Sequence, residues 1–224
     1  MTKTIHKNIC GKKKEKNENK RNNVKEKKKI EVYPYVILAS SSLTRIKILK
    51  KFFKNFEIKK HLVDEKLEKS LMIHLTAKDL AKYLAKKKAE SVCNRSNDKY
   101  IIGCDQVLEC NGKLISKAQN LVEAKENLAY LTGKKHQLFT CLYVLRNAEE
   151  YLVEETISQL YFKKISEKTI ETYINENRKT ALSCVGSYRI EDNDKYNFLE
   201  VLEGSEEAII GFPLKNFIKK LRSN

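Results

Sequence analysis

The sequence has no apolar run approaching the length of a membrane span, so no transmembrane helix is expected. It has no apolar h-region near its start, which argues against a secretory signal peptide. Neither a Walker A pattern nor G-x-G-x-x-G occurs, so the common phosphate-binding loops are excluded. The cysteines, Cys10, Cys93, Cys104, Cys110, Cys141 and Cys184, form no C-x-x-C pair, and metal-type spacing is therefore missing. Most of them sit in apolar segments and read as small buried hydrophobes. Free thiols without a signal peptide point to a reducing, cytoplasmic setting.

The 224 residues allow one sizeable domain or two small ones. The formal net charge of +16 is unevenly spread. Residues 1–29 hold twelve Lys/Arg against three Asp/Glu, with Asn17, Asn19, Asn22 and Asn23 and almost nothing apolar. Such a stretch cannot bury a core, so 1–30 reads as a disordered basic tail and 31–224 as the folded domain. A basic tail suits nucleic acid or an anionic surface as partner; a biased composition without any partner is the plainer alternative.

Along the folded part, Tyr35 to Ala39 reads as a strand and Thr44 to Phe53 has helical spacing. Phe56 to Val63 alternates weakly, as a second strand ending at Asp64-Glu65. Ala77 to Val92 is a helix, Tyr100 to Glu109 the central strand, and Asn111-Gly112 a hairpin turn before an extended Leu114 to Ser116. Leu121 to Leu131 is a helix closed by Gly133. Gln137 to Arg146 and Glu150 to Phe162 form a long antiparallel pair. Ser166 to Asn175 is helical, Leu199 to Leu202 and Ala208 to Ile210 are short extended pieces, and Pro213 opens a last helix. Strands and helices alternate without a strict βαβ rhythm, so the fold class is α/β, a mixed sheet with flanking helices.

One segment carries chemistry in plain view. Ile101-Ile102-Gly103-Cys104 leads straight into Asp105, and Gln106-Val107-Leu108 follows. A carboxylate at the end of a buried strand is costly unless a cation, a reacting water or a structural partner meets it. Capping a turn beside Gly103 is the structural alternative. Asp64-Glu65 supplies further carboxylates, which with Asp105 could hold a divalent metal or activate a water. Ser40-Ser41-Ser42 leads into a helix with Arg45 in its first turn, the character of a site for a polyanion or of a plain serine cap. His136 follows the Leu121 to Leu131 helix and reads as structural rather than catalytic.

Taken in order, these segments resemble the Maf family of nucleoside triphosphate pyrophosphatases, from about Val36 to Leu221. The family's Ser-x-Ser-Pro-x-Arg-Arg is matched by Ser40, Ser42 and Arg45, with Leu43 for the Pro and Ile46 for the second Arg. Val63-Asp64-Glu65 matches its Val-Asp-Glu, Asp105 its catalytic aspartate, and Lys88 the lysine of its helix. Lys117 matches the lysine of Gly-Lys-Pro, with Ser116 and Ala118 beside it, and His136 a histidine after the helix. Gln106 and Glu191 are similar to the 7-methyl-GTP type, although Cys104 replaces a Ser and Asp192 a Gly. Thr44 fills the selector position in the first motif and is neither the Trp nor the Arg found there.

The resemblance implies an elongated α/β domain with two lobes around a cleft. It implies hydrolysis of modified nucleoside triphosphates to monophosphate and pyrophosphate, with Asp105 as base and Glu65 and Asp105 as ligands of Mg or Mn. Ser40, Ser42, Thr44, Arg45, Lys88, Lys117, Gln106 and Glu191 would bind substrate. A homodimer is left open. Two alternatives also stay open: a dTTP/UTP-type enzyme, and a non-catalytic binder of nucleic acid or of the division machinery.

Overall fold

The computed structural model describes residues 34–94 and 98–223. The expected disordered tail over 1–30 therefore lies outside the described residues, as does Cys10. Val36, Ile37 and Leu38 form strand β1 (Val36–Leu38), which is sealed on both faces and runs parallel to both of its neighbours. Those neighbours are β2 (Phe56–Ile58) and β3 (Tyr100–Cys110). Beyond β3 the sheet turns antiparallel through β5 (Lys134–Arg146), β6 (Glu149–Phe162) and β7 (Leu199–Glu203), while β4 (Lys113–Ile115) pairs with β3. The result is a seven-stranded mixed sheet in the order β2-β1-β3-β5-β6-β7, with β4 on the side.

Helices cover the sheet. Helix α1 (Leu43–Phe52) begins at the Ser42 cap, and α3 (Ala77–Glu90) begins at Thr76. Leu80, Ala81, Leu84, Ala85, Lys88 and Ala89 make the buried stripe of α3, so a lysine is carried inward on an apolar face. Gly103 explains how closely that stripe approaches β3. A Cβ there would stand 2.0 Å from the Ala85 carbonyl oxygen and 2.7 Å from the Ala89 nitrogen, so only glycine lets the helix lie against this strand. Helix α4 (Leu121–Leu131) buries Ala124, Leu128 and Leu131 and leads to Gly133, whose φ of 73° is left-handed. At the β3–β4 turn Asn111 and Gly112 both have positive φ, as a tight hairpin requires.

The remaining helices are α2 (Glu65–Leu71), α5 (Glu167–Glu176), α6 (Arg178–Ser183), α7 (Asn193–Tyr196), α8 (Glu206–Ile210) and α9 (Lys215–Ser223), with a 3₁₀ turn at Ile190–Asp192. Two expectations are corrected. The strand expected over Phe56 to Val63 stops at Ile58, and after an irregular stretch Asp64 caps a helix: its side chain accepts from the N–H groups of Lys66 and Leu67, both at 3.1 Å. Ala208 to Ile210 is helical rather than extended. Ser205 caps Ala208 N–H at 3.3 Å, Glu206 and Glu207 occupy the first turn, and Gly211 closes the helix with a φ of 87°. The cap at Ser166 forms without an acidic partner: its Oγ accepts from Thr169 N–H and pairs with the Thr169 hydroxyl at 2.9 Å.

Three apolar clusters fill the core. One gathers α4, α5 and the ends of β3, β5 and β6 around Leu128, Phe162, Tyr173 and Phe198. The other two lie about β1 and β3, built on Leu49, Phe53 and Phe217 in one case and on the α3 stripe in the other. His136 belongs to the core: it is 2 % exposed, lies 2.5 Å from the Tyr188 hydroxyl, and burial pushes its pKa down to about 4. Cys104, Cys110 and Cys141 are buried, and Cys93 and Cys184 partly so, all as free thiols. Among the described residues no helix is long and apolar enough to cross a membrane.

Candidate active site

A cleft of about 440 Å³ opens at the C-terminal end of β1. Ser40, Ser42, Thr44, Arg45, Glu65, Lys88, Asp105, Gln106, Lys117 and Glu191 all line it, so the residues singled out in the sequence meet in one place. Asp64 does not, since it is spent capping α2.

The serine turn forms because β1 ends at Leu38 and α1 starts five residues later. Ser42 N–H donates to Ser40 Oγ at 3.2 Å, and Arg45 N–H donates to Ser42 Oγ at 3.4 Å. The turn thus presents the start of a ten-residue helix to the cleft, where backbone N–H groups favour an anion. Arg45 reaches across it. Its Nε donates to the Gly211 carbonyl at 3.0 Å and its Nη1 to the Cys104 carbonyl at 2.6 Å, which pins β3 to the loop after α8.

The centre of the cleft is a chain of charges. Lys88 Nζ lies 2.5 Å from Asp105 Oδ1 and 2.8 Å from Glu65 Oε1, and His61 Nε2 lies 3.4 Å from that same Glu65 oxygen. The side chains of Lys88 and Asp105 are only 3 % and 6 % exposed. Burial works against charge on Lys88, but Asp105 and Glu65 more than reverse it and hold its pKa above the ordinary lysine value. Burial likewise opposes ionised Glu65, yet its hydrogen bond from His61 and the charges of Lys88 and Lys117 keep its carboxyl well below the usual range. Lys117 shows surface to solvent but is walled by the cleft. That burial, with the like charges of Lys88 and Arg45, outweighs Glu65 and Asp105 and pushes its ammonium down.

Two side-chain atoms of the cleft lining are left over, His61 Nδ1 and a carboxylate oxygen of Asp105. Asp105 Oδ2 is buried and has no hydrogen-bond partner. An orphaned carboxylate oxygen in a cleft is a place for a water proton or a cation. Among the described residues no three His, Cys, Asp or Glu side chains cluster as a ready-made metal cage. The residues present still fit a divalent cation of the magnesium kind, which takes one or two carboxylates and fills its sphere with phosphate and water.

The far wall is apolar, with Leu138, Val185, Ile190, Ile209 and Ile210 beside Tyr188. Gln106 lies under this wall and its amide nitrogen is spent on Thr140 Oγ1, Ala208 O and Ile209 O at 2.9, 3.0 and 3.1 Å. Two carbonyl acceptors fix which end of the amide is nitrogen, and leave its oxygen as the group on offer. Glu191 is exposed into the cleft from the 3₁₀ turn. Asp192 anchors that turn: it accepts from Tyr173 Oη, Arg189 Nε and Arg189 Nη2, each at 2.8 Å.

His61, Lys69 and Arg189 also line the cleft, and sequence reasoning missed them. Lys69 hangs on the capping role of Asp64: once it is seen, Lys69 falls four residues after Glu65 on one face of α2. His61 precedes the helix, where no period places it.

Known proteins are similar to this chain along most of its length. The profile of the Maf-like protein family matches residues 35–224. A 7-methyl-GTP pyrophosphatase of Bartonella henselae is 34% identical over 187 residues, 84% of this chain and 94% of its own. A nucleoside triphosphate pyrophosphatase of Nitrobacter hamburgensis is 32% identical over 188 residues, 84% of this chain and 93% of its own. A third, from Legionella pneumophila and also called a nucleoside triphosphate pyrophosphatase, is 33% identical over 186 residues, 83% of this chain and 92% of its own. The match spans the serine turn, α3, β3 and the late glycine segment together, and by it the chain belongs to the Maf family.

Proposed function

We propose that this chain hydrolyses nucleoside triphosphates to a nucleoside monophosphate and pyrophosphate, in a cytoplasmic setting. The observation that carries the reading is Asp105: one oxygen is fixed by Lys88 and the other is buried and unpartnered in a cleft lined by cations. In the proposed step a water oxygen attacks the α-phosphorus and Asp105 Oδ2 receives its proton. The bond from the α-phosphorus to the bridging oxygen breaks, and its electron pair leaves with pyrophosphate. Lys88 holds the carboxylate in position, while Lys117, the remaining donors of Arg45 and the N–H groups of the serine turn balance charge on the phosphates. Asp105 and Glu65 would hold a divalent cation, Mg or Mn, which when bound supplies further charge neutralisation at the phosphate oxygens.

For the base, the two groups on offer, the Gln106 carbonyl oxygen and the Glu191 carboxylate, are both acceptors. A guanine edge presents N1–H and the N2 amino group to such a pair, whereas uracil and thymine present a single N–H. We therefore favour a guanine nucleotide, with 7-methyl-GTP as the leading candidate, over dTTP or UTP. The test is kcat/KM for 7-methyl-GTP, GTP, dTTP and UTP in the parent chain and in Glu191→Gln. The parent should prefer the guanine nucleotides, and Glu191→Gln should narrow that preference by roughly 10- to 100-fold, the scale of one charge-assisted hydrogen bond. A parent chain that prefers UTP or dTTP contradicts the base assignment alone. A parent chain that releases pyrophosphate from none of the four contradicts the activity.

A further inference from the structure

The cations of the cleft are of two kinds. Three are committed to the protein: Lys88 to Glu65 and Asp105, Arg189 to Asp192, and Arg45 to the Cys104 and Gly211 carbonyls. Lys117 has no ion pair or side-chain hydrogen bond among the described residues, and the only other lining cation in that condition is Lys69. Lys69 is half-buried, and a half-buried ammonium without a counter-charge needs explanation.

Its helix supplies one. Lys69 sits four residues after Glu65 on α2, the spacing at which Glu and Lys normally pair along a helix. Here the Glu65 carboxylate is turned away to Lys88 and His61, which leaves the lysine unpaired on the cleft side. Helix α2 has no buried residue, and Leu67 and Leu71 face solvent. Its ties to α3 are the Glu65–Lys88 pair and the Glu68 carboxylate, which accepts from Tyr83 Oη at 2.6 Å. A segment held by so few contacts can shift toward a ligand at little cost.

We infer that Lys69 is a phosphate ligand of the bound nucleotide, meeting the charge beyond the α-phosphate, and that α2 settles against the substrate through it. The inference rests on the pyrophosphatase reading above. Asp105 and Lys88 define where the α-phosphorus must stand for attack. Lys69, one helical turn further along α2 from their partner Glu65, is placed for the phosphates that leave.

The experiment is equilibrium binding by calorimetry, using the full chain and its Lys69→Ala and Lys69→Arg variants. The ligands are a non-hydrolysable α,β-methylene nucleoside triphosphate, inorganic tripolyphosphate and the matching nucleoside monophosphate. Lys69→Ala should weaken the triphosphate and tripolyphosphate by about tenfold or more, as loss of one charge-assisted contact does, and leave the monophosphate within about twofold. Lys69→Arg should keep most of the affinity. Melting temperature should not move, since Lys69 has no ion pair or side-chain hydrogen bond among the described residues. Equal triphosphate affinity in parent and Lys69→Ala overturns the inference while the enzyme reading stands. So does an equal loss for the monophosphate. A parent chain that binds none of the three ligands overturns the enzyme reading and this inference with it.

Discussion

Asp105→Asn is expected to fold as the parent chain does and to lose at least about 10²-fold in kcat, the usual scale for removing a general base. The fold should survive because the asparagine oxygen still accepts from Lys88, and Lys88 keeps Glu65 at 2.8 Å. Rate should fall because the amide that replaces Oδ2 donates where a water proton must be received. A folded, pure Asp105→Asn protein with near-parental turnover would remove Asp105 from the chemistry. KM should change less than kcat, since in this scheme the phosphates are bound by cations and backbone N–H groups.

The second large effect concerns Lys88. Replacing it by methionine keeps the apolar stem that packs in the α3 stripe but strands two carboxylates, one of them almost sealed from water. Breaking a buried pair from one side costs about 3–5 kcal/mol. Glu65 is 26% exposed and can recover solvation, so the lower end of that range is expected. The check is the urea midpoint of Lys88→Met against the parent. A midpoint within error of the parent would mean that the ion pair holds nothing together. Adding Asp105→Asn to Lys88→Met should return part of the loss, because the stranded charge is then gone; a purely additive double variant would contradict the coupling.

How much of this was legible beforehand depended on whether the signal was local. Asp105 stood out because an acid interrupts an apolar run, and Lys88 because it matches the lysine of the family's helix. The long β5–β6 pair and the Asn111-Gly112 turn were legible for the same reason, since period and turn chemistry are written in neighbouring residues. Helix α2 was hidden because Asp64 after a weakly alternating stretch reads equally as a strand end or a helix cap. What decides is a hydrogen bond to Lys66 and Leu67, not composition. Lys69 was hidden by its abundance, being one of 45 Lys and Arg. Asp192 was visible as a departure from the family pattern, but its partner Tyr173 lies 19 residues away on another helix, and no spacing rule links the two. The acceptors of the Gln106 amide were likewise unreadable, because Ala208 and Ile209 are about 100 residues distant and were expected to be extended.

The division of the cleft cations into committed and uncommitted groups has a consequence for ionic strength. Mobile ions screen charges that face solvent, over roughly 8 Å at 0.15 M, and reach sealed pairs far less. Lys88 and Asp105 are sealed, so the geometry proposed to position the reacting water is shielded from the surrounding salt. Lys117 is open to solvent and Lys69 half-open, and in the proposed scheme they draw in the phosphate chain. Dissolved salt then acts on capture of the nucleotide far more than on conversion of nucleotide already held. In that scheme burial places the two halves of one reaction under different control by the medium.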